Sequence, residues 1–307
     1  GILDSVNQRT QLVGQNRLEL LLFRLNGRQR FGINVFKVRE VLQCPPLTAM
    51  PKLNPLVRGV AHIRGQTISV IDLSMATRGR KIEDLSNAFI VIAEYNRSVQ
   101  GFLVGAVERI INTNWDAIMP PPQGTGRASY LTAVTEVENE LIEILDVEKI
   151  LNEISPLNAE VSSEVAEGLT TEGQENKIIF IADDSAVARN QVKKALTSLG
   201  LEIELAKNGL EALNRLKEIA EEYGDVTNRV GVLVSDIEMP EMDGYTLTAE
   251  IKNTPELQKL HVVLHTSLSG VFNQAMVQKV GADEFIAKFH PDELATAVQK
   301  WLMTECE

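Results

Sequence analysis

Between Ile178 and Met303, five short apolar runs (IIFIA, LEIELA, VGVLVS, HVVLHT and EFIAK) alternate without a break with five segments of helical pattern (SAVARNQVKKALTSLG, NGLEALNRLKEIAEEYG, YTLTAEIKN, VFNQAMVQKVG and PDELATAVQKWLM). Alternation of this kind predicts a parallel sheet with helices on both faces. The C-terminal half is therefore expected to be a doubly wound α/β domain with five strands. Open sheets of this type bind ligands beyond the carboxyl ends of their strands. The polar residues of these runs fall on that edge: Asp183 and Asp184 end the first, Asp236 the third, Thr266 and Ser267 the fourth, and Lys288 the fifth.

An apolar strand that ends in two carboxylates has two readings. Asp184 or Ser185 is placed to cap the following helix, but one cap needs only one residue. A cation site is the other reading, and the rim as a whole favours it. Three carboxylates packed together repel one another, and a hard divalent cation such as Mg²⁺, which prefers oxygen ligands, removes the conflict.

The N-terminal half has a different rhythm. LELLLFRLNGRQRFGINVFKV holds two strand-like runs around Asn26-Gly27, a strong hairpin signal. VRGVAHIRGQTISVIDL, NAFIVIAEYN, QGFLVGAVERIINT and ELIEILDVEKIL continue the pattern between Pro, Gly and Asn. Many short strands predict a mostly-β sandwich or small barrels, with helix left open over VFKVREVL and the opening residues. His62, with an apolar neighbour on each side, is expected to be structural, and Cys44 has no partner base visible in the sequence. A folded half without catalytic residues points to a binding module.

The net charge of −12 is unevenly spread: residues 1–154 carry +1, 155–175 carry five Glu and no basic residue, and 176–307 carry −8. Nucleic acid is thereby disfavoured as a partner, because phosphate binding needs a basic surface. The acidic stretch SPLNAEVSSEVAEGLTTEGQEN reads as a flexible linker, with a short helix over 157–168 left open. The expected domains are thus 1–154, a linker at 155–175, and 176–307. Two cysteines, Cys44 and Cys306, give neither a disulfide framework nor a C-x-x-C pair. With no long apolar run and no leader-like start, a cytoplasmic protein that does not insert in the membrane is expected.

GINVFKVREVL followed by LVRGVAHIRGQTISVIDL resembles the CheW-like coupling domain of bacterial chemotaxis, over about residues 15–153. The resemblance implies a pair of five-stranded β-barrels, a scaffold binding the histidine kinase CheA, chemoreceptor cytoplasmic tips and other CheW-like array components. It places Val38, Glu40, Gly59 and Arg64 on partner-binding surfaces. From the residues alone, Gly59 and Gly65 also read as turn formers, Val38 as core and Arg64 as a solvated strand-end charge.

D-D-S at 183–185, D-I-E-M-P-E-M-D-G at 236–244, T-S at 266–267 and Lys288 resemble the flavodoxin-like receiver domain of two-component response regulators, over about residues 176–304. That resemblance implies phosphoryl transfer from a kinase phosphohistidine to Asp236. It also implies Mg²⁺ held by Asp183, Asp184, Asp236 and the backbone carbonyl of Glu238, with Thr266 and Lys288 stabilising the phosphoryl group and Phe285 at the aromatic switch position. Phe289 stands where receivers usually carry Pro, which puts the geometry of the last loop in question.

A coupling domain followed by a receiver resembles the CheV-type proteins. The expectation is a phosphorylatable chemotaxis adaptor at receptor arrays. It is not a stand-alone enzyme, although the receiver would catalyse its own phosphorylation. The alternative is a phosphate sink that drains CheA, with the N-terminal domain used only for docking. A transcriptional regulator conflicts with the charge balance and with a chain that ends just beyond the last helix.

Overall fold

The computed structural model describes residues 17–51, 54–95, 98–121, 130–156, 158–266 and 278–306. Contacts divide the chain between Pro156 and Leu157 into two compact units.

Among its described residues the first unit holds ten strands: β1 (Arg17–Arg24), β2 (Arg30–Asn34), β3 (Val38–Gln43), β4 (Val57–Ile63), β5 (Gln66–Asp72), β6 (Phe89–Tyr95), β7 (Ser98–Val104), β8 (Ala106–Asn114), β9 (Leu131–Val137) and β10 (Glu140–Leu145). Two helices, α1 (Leu73–Ala76) and α2 (Val147–Ile154), accompany them. The strands form two five-stranded sheets, ordered β8-β1-β2-β10-β9 and β3-β6-β7-β5-β4. An isolated bridge brings together the two edges of each sheet. Met119, past the end of β8, pairs with Val134 of β9, and Thr48, past the end of β3, pairs with Val60 of β4. Each sheet therefore curls toward a barrel, and the expected hairpin around Asn26-Gly27 joins β1 to β2.

The apolar runs are continuous because their strands are buried on both faces. Leu18, Leu20 and Leu22 of β1 enter a core inside the first sheet with Ile142. Leu21 and Phe23, on the other face, join Ile71, Val91 and Phe102 of the second sheet in a core between the two. Ile90 and Ile92 of β6 fill the second sheet with Ile68 and Val70. Period-two alternation thus serves two cores from a single strand.

Helix does not form over VFKVREVL. A 3₁₀ turn at Val35–Lys37 leads into β3, whose residues alternate half-buried and exposed, the period of a strand. His62 is exposed on β4, where the same alternation turns it outward beside buried Ala61. Cys44 is half-buried, and burial pushes its thiol up from its ordinary value.

The second unit contains α3 (Ser163–Gly168), β11 (Ile178–Ala182), α4 (Ala186–Leu196), β12 (Glu202–Ala206), α5 (Gly209–Tyr223), β13 (Val230–Ser235), α6 (Gly244–Lys252), β14 (His261–Thr266), β15 (Glu284–Ala287) and α7 (Pro291–Leu302). All strand pairs are parallel, in the order β12-β11-β13-β14-β15. β11, β13 and β14 are buried along their whole length, as central parallel strands require. Gly200 follows α4 with φ +73°, the left-handed stop its position predicts. The helix expected over 271–281 lies largely outside the described residues, which include helical 278–280, and Ser267 lies outside them too.

The stretch expected as a flexible linker is packed onto this unit. Ala159 is 2% exposed in the core shared by β11, α4 and α7, with Val161 and Leu169 against it. Small apolar residues spaced through an acidic segment suffice to dock it. Among the described residues no helix is long and apolar enough to cross a membrane.

Candidate functional site

Parallel strands end in register, so the residues that follow β11, β13, β14 and β15 share one rim. Asp183 and Asp236 sit one residue past adjacent strands, with Asp183 N donating to Ala206 O at 3.1 Å and Asp236 N to Ala182 O at 2.8 Å. Carboxylate oxygens of Asp183, Asp184 and Asp236 all lie within 4.8 Å of one another. Asp183 is 2% exposed and Asp184 is exposed. The helix cap is supplied by Ser185, whose Oγ accepts from Ala188 N at 3.2 Å, so the acidic pair is not spent on capping. Asp183 Oδ1 accepts from Ser185 N at 2.9 Å, and Arg189 Nη1 donates to the Asp183 carbonyl at 2.7 Å. Sequence reading did not single out Arg189. Its place one turn into α4 is the feature that could have found it.

Lys288 supplies the positive charge. Its Nζ is 2.7 Å from Asp183 Oδ2 and 3.4 Å from Asp236 Oδ1, with its side chain 4% exposed. Its backbone N donates to Thr266 O at 2.6 Å, so β14 and β15 hold the ammonium and the Thr266 side chain on the same rim. The Lys288–Phe289 peptide is cis, and Phe289 is buried against the ring of His265. Phe285 lies on β15, half-buried and paired with Leu264.

The loop after Asp236 folds back tightly. Gly244 N donates to Ile237 O at 2.7 Å, and a Cβ on Gly244 would stand 2.1 Å from the Asp236 carbonyl. Glu238 lies half-buried in this loop. Asp243 caps α6 by accepting from Thr246 N, and burial pushes its carboxyl up to about 6. The donor set is all oxygen, compact and anionic, which fits a hard cation such as Mg²⁺.

The four residues singled out in the N-terminal unit divide into two pairs. Arg64 and Gly65 form the two-residue turn between β4 and β5 with φ of +50° and +75°, the hairpin geometry with both central residues left-handed. The turn projects Arg64, 78% exposed, to donate from Nη2 to Glu40 Oε1 at 2.7 Å. The pair borders a hollow of about 100 Å³ whose floor includes Ile68 and Ile92. Val38 instead packs against the core between the sheets. Gly59 is buried with φ +143°, and a Cβ there would lie 2.8 Å from Thr48 O. Val38 is thus half-buried on the core, and Gly59 fixes the close approach of β4 to Thr48.

Asp72, near the end of LVRGVAHIRGQTISVIDL, is fully buried. It accepts from Met75 N, Ile82 N and Arg58 Nη1, which explains an Asp at the end of β5 on structural grounds.

Residues 19–155 match the CheW-like domain and residues 179–299 the response regulator receiver domain. The chemotaxis protein CheV3 of Helicobacter pylori is 29% identical over 94% of this chain and 95% of its own length. CheV1 of the same organism is 28% identical over 98% of each. Among solved structures, the scaffolding protein TtCheW from Thermoanaerobacter tengcongensis is 25% identical over 42% of this chain and 88% of its own, with a TM-score of 0.40. The chain therefore joins a CheW-like domain to a response regulator receiver domain, the make-up of a CheV-type chemotaxis coupling protein.

Proposed function

We propose that this adaptor couples chemoreceptors to the histidine kinase CheA at receptor arrays on the cytoplasmic side of the membrane, and that phosphorylation of Asp236 regulates the coupling. The observation that carries the reading is the buried Lys288 ammonium set between the Asp183 and Asp236 carboxylates. An ammonium in that place neutralises charge that a phosphoryl group brings to the rim.

In the transfer, an Asp236 carboxylate oxygen forms the new O–P bond as the N–P bond of the kinase phosphohistidine breaks and the imidazole nitrogen keeps the electron pair. Catalysis is then chiefly positioning and electrostatics. β13 fixes the acceptor, and the Ser235 hydroxyl holds the Asp236 carbonyl at 2.8 Å. Lys288 meets the phosphoryl oxygens, and the Thr266 hydroxyl donates a hydrogen bond to one of them. Asp183, Asp184, Asp236 and the Glu238 carbonyl are the ligands proposed for Mg²⁺, which when bound offsets phosphoryl charge. The receiver thus promotes its own phosphorylation and acts on no further substrate. Glu40 and Arg64 are the proposed contact with an array partner, supported from beneath by Val38 and Gly59. Phe285, paired across the sheet with Leu264 two residues before Thr266, is the proposed aromatic relay.

The test is labelling of the full chain by phospho-CheA. Asp236→Asn is expected to abolish labelling while leaving binding to CheA intact, and equal labelling of variant and wild type overturns the assignment.

A further inference from the structure

The acidic stretch that joins the two domains is fastened to the receiver at both ends of one helix. Ser162 N donates to Asp292 Oδ1 at 2.7 Å, at the start of α7, and Thr170 N donates to Gln299 Oε1 at 2.8 Å, near its end. Between these anchors runs α3, so the segment follows α7 for roughly 10 Å. Thr171 Oγ1 donates to Leu199 O at 3.2 Å, and Ala159 is sealed in the apolar cluster beneath. Six residues of helix are too few to persist alone. α3 is therefore held by docking.

Its anchor lies close to the phosphoryl rim. Asp292 is in the first turn of α7, four residues after Lys288. Ile286 and Phe289, which flank Lys288, belong to the same cluster as Ala159. A short piece of backbone and packed side chains thus connect the lysine to residues 158–171.

We propose that residues 158–171 form a strap that reports the state of Asp236. A phosphoryl group there draws the Lys288 ammonium off Asp183, the shift passes through Phe289 into the first turn of α7, and the anchor on Asp292 loosens. The chain leading back to the CheW-like domain is released as a result. This inference rests on Asp236 as the acceptor.

Hydrogen–deuterium exchange of the full chain, with Mg²⁺ alone and with Mg²⁺ plus beryllium fluoride as the phosphoryl mimic, tests it. The Ser162 and Thr170 amides are expected to exchange about tenfold faster with the mimic, and Asp236→Asn is expected to remove the response. Altered exchange at 183–185 and 236–244 with unchanged or slowed exchange at 158–171 overturns the strap alone. No change in either region overturns the phosphoryl site and the strap with it. Gln299→Ala, distant from the rim, is expected to speed exchange at Thr170 without the mimic while leaving phosphoryl labelling of Asp236 unchanged, and a silent Thr170 amide in that variant also counts against the strap.

Discussion

Lys288 donates from Nζ to Oδ2 of Asp183 at 2.7 Å, with the two side chains only 4% and 3% exposed. One ammonium faces three clustered carboxylates, so the rim retains negative charge for a cation to neutralise. Mg²⁺ is expected to raise the unfolding temperature of the receiver, with a stabilisation of about 2.7 kcal/mol when its concentration is ~100 times the dissociation constant. Asp183→Ala removes a ligand and is expected to abolish most of that shift. Differential scanning calorimetry with Mg²⁺ and with EDTA checks it, and an equal shift in variant and wild type contradicts the ligand assignment.

Arg64 pairs with Glu40 on an open surface, where an ion pair contributes only about 0–1 kcal/mol to folding. Arg64→Ala and Glu40→Ala are therefore expected to leave the melting temperature nearly unchanged while weakening co-sedimentation with receptor arrays. Full recruitment of the folded Arg64 variant would show that the pair is surface decoration.

Gly59 behaves differently, since a Cβ at φ +143° meets the Thr48 carbonyl at 2.8 Å. Gly59→Ala is expected to cost roughly 1–3 kcal/mol. It should lower recruitment through distortion of β4 rather than through loss of a contact. Chemical denaturation beside the recruitment assay separates the two, because a loss of recruitment at unchanged stability would make Gly59 a direct contact.

His261 and Asp283 set a pH dependence far from the rim. A hydrogen bond to Asp283, with Cys306 as a further partner, pushes the imidazole up to about 10 from its ordinary 6.5. The Asp283 carboxyl is depressed: its burial is outweighed by hydrogen bonds from His261 and the Val262 amide. The histidine's stabilisation is complete below pH 6.5 and is lost as pH rises through about 10. The aspartate's is present above its ordinary 3.8 and is lost as pH falls through its lowered folded value. The unfolding free energy of the receiver, read from urea titrations, is expected to fall between about pH 6.5 and 10 by ~1 kcal/mol or more, and His261→Gln to flatten the profile. Trp301, its ring 4.9 Å from that of His261, reports this unfolding in a Trp115→Phe background. An unchanged slope in His261→Gln would assign the dependence elsewhere.

The parallel sheet and its rim were legible from the sequence because both depend on local order. Apolar runs of strand length must be buried, alternation with helices forces them parallel, and the residue after each strand then has only one edge to occupy. Asp183, Asp236, Thr266 and Lys288 follow from that rule without coordinates. The division of the N-terminal strands between cores was not legible: LELLLF is the same string whether it lies in one core or two, and only the second sheet, built from distant residues, gives Leu21 and Phe23 a separate partner surface. Distance in sequence also hid what constrains Gly59, the carbonyl of Thr48, and what pairs with Glu40, the Arg64 that the β4–β5 turn brings to it. The acidic stretch is the clearest case. Its composition describes a solvated linker, and nothing local contradicts that. Docking was decided by a surface that exists only once β11, α4 and α7 are packed, which buries Ala159 and offers Asp292 and Gln299 as acceptors for amides that water would otherwise hold.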